Sequence, residues 1–111
     1  ALVGVRPTHG LISRHGIVPF SPTQDEVGPI TRTVEDAARM LDVMAGSDPR
    51  DPATALGEGR RPRSYRDGLD PDALAGARLG LLTQVFGRDA IHAPVNAVMA
   101  RAVEALSRHG A

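Results

Sequence analysis

Five serines, four histidines and no lysine or cysteine bound the chemistry open to this chain of 111 residues. A serine hydrolase needs an activated hydroxyl, a base in reach of it and donors for the oxyanion. Ser13, Ser21, Ser47, Ser64 and Ser107 lie in no Gly-x-Ser-x-Gly elbow, and none follows a Gly-Gly pair whose N–H groups could hold an oxyanion. They read as turn and cap residues. All 13 side chains counted as Lys or Arg are arginine, so no mechanism that uses an ammonium group as its base can be completed here. The lack of cysteine removes thiol nucleophiles, disulfides and thiolate metal sites.

His9 and His15 lie six positions apart across a glycine turn and could converge, yet no third ligand has a recognisable spacing. With His92 and His109 flanking the last helical segment, the histidines read as polar turn residues and a helix-terminal charge. No metal and no cofactor are implied. Asp25 and Arg32 bracket Glu26-Val27-Gly28-Pro29-Ile30-Thr31. They could brace that rigid turn, as an ion pair or through backbone hydrogen bonds, or line a substrate cleft. Arg6, with Thr8 just beyond Pro7, has the same two readings: donors that tie loops together, or a contact to substrate.

The elements that must position these residues fall into three stretches. Over 1–32, glycines and prolines recur every few residues and exclude long helix, so short strands and ordered turns are expected. The clearest helix covers 34–45. Thr33 is its N-cap, Asp36 approximates a capping box, and Glu35 favours the helix start and can pair with Arg39. Val34, Ala37, Ala38, Leu41 and Ala45 share one face, and Gly46 is expected at C′.

Residues 47–76 lack strong periodicity and read as a surface excursion within a larger fold. Residues 77–111 read as a strand-then-helix unit. A buried strand is expected over 78–83, a loop through Phe86 and Gly87 follows, and a helix begins near Pro94. Val95, Val98, Met99, Ala102, Val103 and Leu106 repeat at helical spacing, with Gly110 at C′. Such a unit is the front of a βαβ crossover, which predicts a truncated C-terminus, and the isolated chain is expected to be marginally stable or to associate. Phe86 and the 47–76 excursion are the candidates for cleft-edge elements.

At this length the chain fits one domain with a modest core. Its formal net charge is zero, so no footprint for nucleic acid or an anionic membrane follows for the isolated chain. No apolar run approaches the ~20 residues of a bilayer span and no basic leader opens the chain, so a cytoplasmic setting is the default expectation.

Four motifs in order make the chain specific. They are Ala1-Leu2-Val3-Gly4-Val5-Arg6-Pro7-Thr8; Gly10-Leu11-Ile12-Ser13-Arg14-His15-Gly16-Ile17-Val18-Pro19; Gln24-Asp25-Glu26-Val27-Gly28-Pro29; and Arg32-Thr33-Val34-Glu35-Asp36-Ala37 with Ala45-Gly46-Ser47-Asp48-Pro49-Arg50-Asp51. Together they resemble the second half of the amidase signature, and 76–82 with Phe86-Gly87 resembles the family's strand and loop beyond it. Departures are mild: Ala1 stands where glycine is common, Arg6 where lysine is common, and Gln24 where leucine is common.

The resemblance implies an α/β fold with a mixed sheet flanked by helices, of which this chain is a fragment: 1–46 the C-terminal half of the signature, 47–76 the excursion, 77–111 the strand-helix unit. It implies a parent enzyme that hydrolyses carboxylic amides through a serine acyl-enzyme, using a serine nucleophile, a second serine on a cis peptide and a lysine base. All three precede the matched motifs in that family, so no catalytic residue is expected in this chain. Arg6, Thr8, Asp25, Arg32 and Phe86 are left as cleft or scaffold residues. The expected partners are a small-molecule amide and the remainder of the parent polypeptide. Two alternatives are the amidase component of a glutamine-dependent transfer-RNA amidotransferase and a non-catalytic scaffold or binding module.

Overall fold

In the computed structural model, which describes residues 2–111, the Thr33 hydroxyl accepts from the Asp36 N–H at 3.0 Å and starts helix α1, Val34–Met44. One such cap satisfies an orphan donor of the first turn and contributes about 1 kcal/mol. Glu35 pairs with Arg39 one turn on, at 2.6 Å. The helix ends a residue earlier than its periodicity predicts. Ala45 is the C-cap in extended backbone, and Gly46 is not left-handed; its N–H donates instead to the Leu11 carbonyl at 3.1 Å. A tertiary hydrogen bond has replaced the local glycine cap.

Two compact units make up the chain, Ala1–Leu69 and Asp70–Ala111. In the first, strands β1, Val3–Gly4, and β2, Ile30–Thr31, pair antiparallel with Val3 opposite Thr31. The Val5 N–H extends the contact to the Pro29 carbonyl at 3.0 Å. Gly28 has to lack a side chain, because a Cβ there would enter the Val5 carbonyl and meet the Pro7 ring. Gly10 is left-handed (φ 79°) and lies against the Ala53 backbone, which fixes the turn after Thr8.

The core of this unit is small. Ile12, Ala37, Ala38 and Ala45 are its buried apolar residues, and Ile12 forms an isolated bridge to Ala45. Val34, expected on the inner face of α1, is 58% exposed. Among the described residues the sheet is two-stranded and antiparallel, so the mixed sheet expected of the larger fold is not formed within this chain.

The second unit is built on helix α2, Ala93–Arg108, with Pro94 in its first turn and the left-handed Gly110 (φ 91°) just past its end. The Gly76 N–H donates to the Gly110 carbonyl at 2.8 Å and ties the start of the unit to its end. The strand expected over 78–83 does not form. Leu79, Leu81 and Leu82 are half or more exposed, and Thr83–Val85 is a 3-10 turn. A strand exists only by pairing, and no ladder partner reaches this segment among the described residues.

Candidate functional site

The side chains that organise the first unit come from Ser13-Arg14 and from the Asp48-Pro49-Arg50-Asp51 turn. Arg14 grips Asp51 with its Nε on Oδ2 (3.1 Å) and its Nη2 on Oδ1 (3.2 Å), while its backbone N–H donates to Oδ2 (2.9 Å). The remaining Arg14 Nη1 donates to the Pro22 carbonyl at 2.6 Å. A planar guanidinium suits this fork, and the arrangement pins three segments distant in sequence. Asp51 is almost fully buried, and the Arg14 hydrogen bonds hold its carboxyl down at about 2. The Arg14 guanidinium is raised in turn by the same bond to Asp51.

Asp48 works beside it. Its carboxylate accepts from Arg50 Nε (2.9 Å) and from the Ser13 hydroxyl (2.8 Å), which together with the Arg50 backbone N–H hold it well below the usual carboxylate range. Buried Thr54 closes the turn: its hydroxyl accepts from the Asp48 N–H (2.8 Å) and donates to the Asp51 carbonyl (2.8 Å). Residues 47–54, the start of the 47–76 stretch, are therefore a hydrogen-bonded knot. The next residues also hold local order in the 3-10 turns Pro52–Gly57 and Tyr65–Gly68. Ser64 and the Tyr65 N–H bond to Asp42 of α1, and those bonds lower its carboxyl.

Over this knot lies a cavity of about 350 Å³, lined by Arg14, Asp51 and Asp25 with apolar walls from Ile17, Pro19 and Pro22. Asp25 accepts from the N–H groups of Ser21 (2.8 Å) and Phe20 (2.7 Å), which lower its carboxyl. It braces its own turn through the backbone. Asp25 and Arg32 form no ion pair among the described residues, and Arg32 is exposed.

The other expected positions scatter. Arg6 is exposed, and its Nη2 donates to the Gln24 carbonyl at 3.4 Å, the loop-tying alternative. Thr8 is exposed, and its carbonyl accepts from Leu11 at 3.0 Å. Phe86 lies in the second unit, where with Leu81, Met99 and Val103 it lines an open apolar groove of about 520 Å³. His9 Nδ1 meets Glu26 Oε1 at 2.6 Å. No cluster among the described residues could hold a metal ion.

Sequence reading missed Arg14, Asp51, Glu26 and Thr54. The signal was there in the pattern Asp-Pro-Arg-Asp, whose carboxylates and arginine call for partners, but nothing local says which. The polar atoms of Arg14 and Asp51 are used on one another or on backbone, and Asp25 spends Oδ2 on two backbone N–H groups. Ser13 and Ser64 are likewise committed to carboxylates, and no serine among the described residues bonds a histidine ring.

The amidase family profile matches residues 1–111. The chain belongs to the amidase family. It is 41% identical to the A component of the glutamyl-tRNA(Gln) amidotransferase of Symbiobacterium thermophilum, over 99% of this chain and 22% of that protein. Among solved amidase structures, an amidase family protein from Bacillus anthracis strain Ames superposes with a TM-score of 0.83 at 36% identity, over 99% of this chain and 21% of that one. The peptide amidase of Stenotrophomonas maltophilia gives 0.75 at 38% identity, over 98% of this chain and 22% of the other. The chain thus spans about a fifth of the length of the amidases it matches, and its fold is that of an α/β fragment of theirs. No helix among the described residues is long and apolar enough to cross a membrane.

Proposed function

We propose that this chain is the scaffold and part of the cleft wall of an enzyme that hydrolyses carboxylic amides through a serine acyl-enzyme. The nucleophile and base would lie in other parts of the same polypeptide. The observation that carries the reading is the pairing of a family match along the whole chain with the lack of the lysine base and free serine that the family resemblance calls for. There is no lysine, and the best-placed serines are spent on Asp48 and Asp42. Asp25, with the apolar walls beside it, would bound the amide-binding space, while Arg6, Thr8 and Arg32 serve the scaffold and Phe86 a cleft edge. The remaining strands of a mixed sheet would come from the rest of the parent, in a cytoplasmic setting.

The test is the complete polypeptide. It should hydrolyse simple aryl or alkyl amides, and replacing a serine in a Gly-Gly-Ser-like element preceding these motifs should abolish turnover. Activity that persists without any such serine would sink the reading.

A second reading has its own support, since several relatives are named as the A component of glutamyl-tRNA(Gln) amidotransferase. On it, the parent would deliver ammonia to a charged transfer RNA. Amide hydrolysis that becomes efficient only when partner proteins and the charged RNA are present would favour this reading over a free amidase.

A further inference from the structure

Glu26 is the one carboxylate that the site chemistry leaves unexplained. Its side chain is 4% exposed, Oε1 meets His9 Nδ1 at 2.6 Å, and Oε2 is buried with no partner among the described residues. His9 itself is 37% exposed by side chain. An ionised carboxylate only accepts, so the ring donates from Nδ1, and in the neutral imidazole Nε2 is then the nitrogen that keeps a lone pair. With Nδ1 turned to buried Glu26, Nε2 is the ring nitrogen left on the accessible side. Fixing one ring nitrogen by a carboxylate is the general way in which proteins orient an imidazole and strengthen the other nitrogen as base, ligand or nucleophile.

The pair is also held from both sides. His9 sits in the turn fixed by left-handed Gly10 against Ala53, and Glu26 precedes Gly28, which is locked against Val5 and Pro7. The imidazole is therefore presented by two rigid turns.

We propose that His9 Nε2 is a nucleophilic acceptor site for activated acyl and carbonate electrophiles, with Glu26 as its proton acceptor, separate from the serine chemistry of the parent. The Nε2 lone pair forms the new bond to the carbonyl carbon, and the leaving group, an aryl oxide from an activated ester or an alkyl carbonate from a pyrocarbonate, departs with its electron pair. The Nδ1 proton passes to Glu26 across the 2.6 Å contact, so that a neutral N-acylimidazole results. Water then cleaves it to the acid and restores the ring. Amides lack a leaving group good enough for this route, so the site accepts activated acyl groups without being an amidase.

The experiment uses the full polypeptide with its serine nucleophile blocked by a sulfonyl fluoride, treated in mildly alkaline buffer with p-nitrophenyl acetate or diethyl pyrocarbonate and mapped by peptide mass. The His9 peptide should label about tenfold faster than those of His15, His92 and His109, and Glu26→Gln should erase that advantage. In the unaltered protein, nitrogen NMR of the ring should show the proton on Nδ1, which keeps the test decisive if the variant misfolds. Equal labelling of all four histidines, an unlabelled His9, or a proton on Nε2 would each overturn the proposal.

Discussion

The two units of the chain solve the problem of staying folded in opposite ways. Residues 1–69 bury little apolar surface but spend side-chain hydrogen bonds freely: Arg14 on Asp51, Ser13 on Asp48, Ser64 on Asp42, Thr54 on the Asp51 carbonyl and the Asp48 N–H. Residues 70–111 rest on one amphipathic helix whose stripe is only partly covered, with Val95 63% and Val98 54% exposed. The first unit has the density of hydrogen bonds that a Gly- and Pro-rich chain needs when it cannot form regular elements. The second has the apolar pattern of a packed element without the packing. Polar networks can close within a few dozen residues, whereas an apolar helix face needs another surface to lie on.

That contrast can be broken from either side. Ile12→Ala should have the largest effect, about 3 kcal/mol on the first unit, because it empties the largest buried apolar site of that core. Amide hydrogen exchange should show protection lost in α1 and retained in α2. Equal loss in both would mean that the units are not independent.

Acid should separate the units next. The lowered carboxyls, Asp25, Asp42, Asp48 and Asp51, all belong to the first unit. A carboxyl held below its unfolded value of about 3.9 stabilises the fold above that pH and stops doing so as pH falls through its folded value. For Asp51 the folded value is about 2, so stability should drain from the first unit between about pH 4 and pH 2. Amide NMR signals of α1 should collapse in that window before those of α2, and Asp51→Asn should remove part of the pH dependence.

Smaller effects sharpen the comparison further. Thr33→Ala should cost about 1 kcal/mol, read as faster exchange at the start of α1. Val98→Ser in α2 should move the stability of this chain by no more than about 0.5 kcal/mol, since the side chain is already in water. A large loss from that change would show the stripe to be packed in solution.

The parts legible in advance were those with local causes. The α1 cap at Thr33, the Glu35–Arg39 pair, Pro94 opening α2 and left-handed Gly110 closing its unit all depend on residues within one or two turns of each other. The family motifs were legible because their order is a property of the string itself. The site was less so: Arg14, Asp51 and Glu26 went unread. The strand expected over 78–83 was misread for a related reason. Its apolar run states a preference, and pairing is a fact about some other segment.

By itself the sequence determined the family, the absence of a lysine base, and both helices with their first turns, because composition and i to i+4 contacts need no knowledge of the fold. The tertiary structure alone decided that Arg14 clamps Asp51 across 37 positions, that His9 meets Glu26 across 17, and that Gly46 bonds to Leu11 when a local cap was available. Each of those choices is a competition among several equally suitable partners. It is settled only by which of them the turns at Gly10 and Gly28 bring within hydrogen-bonding distance.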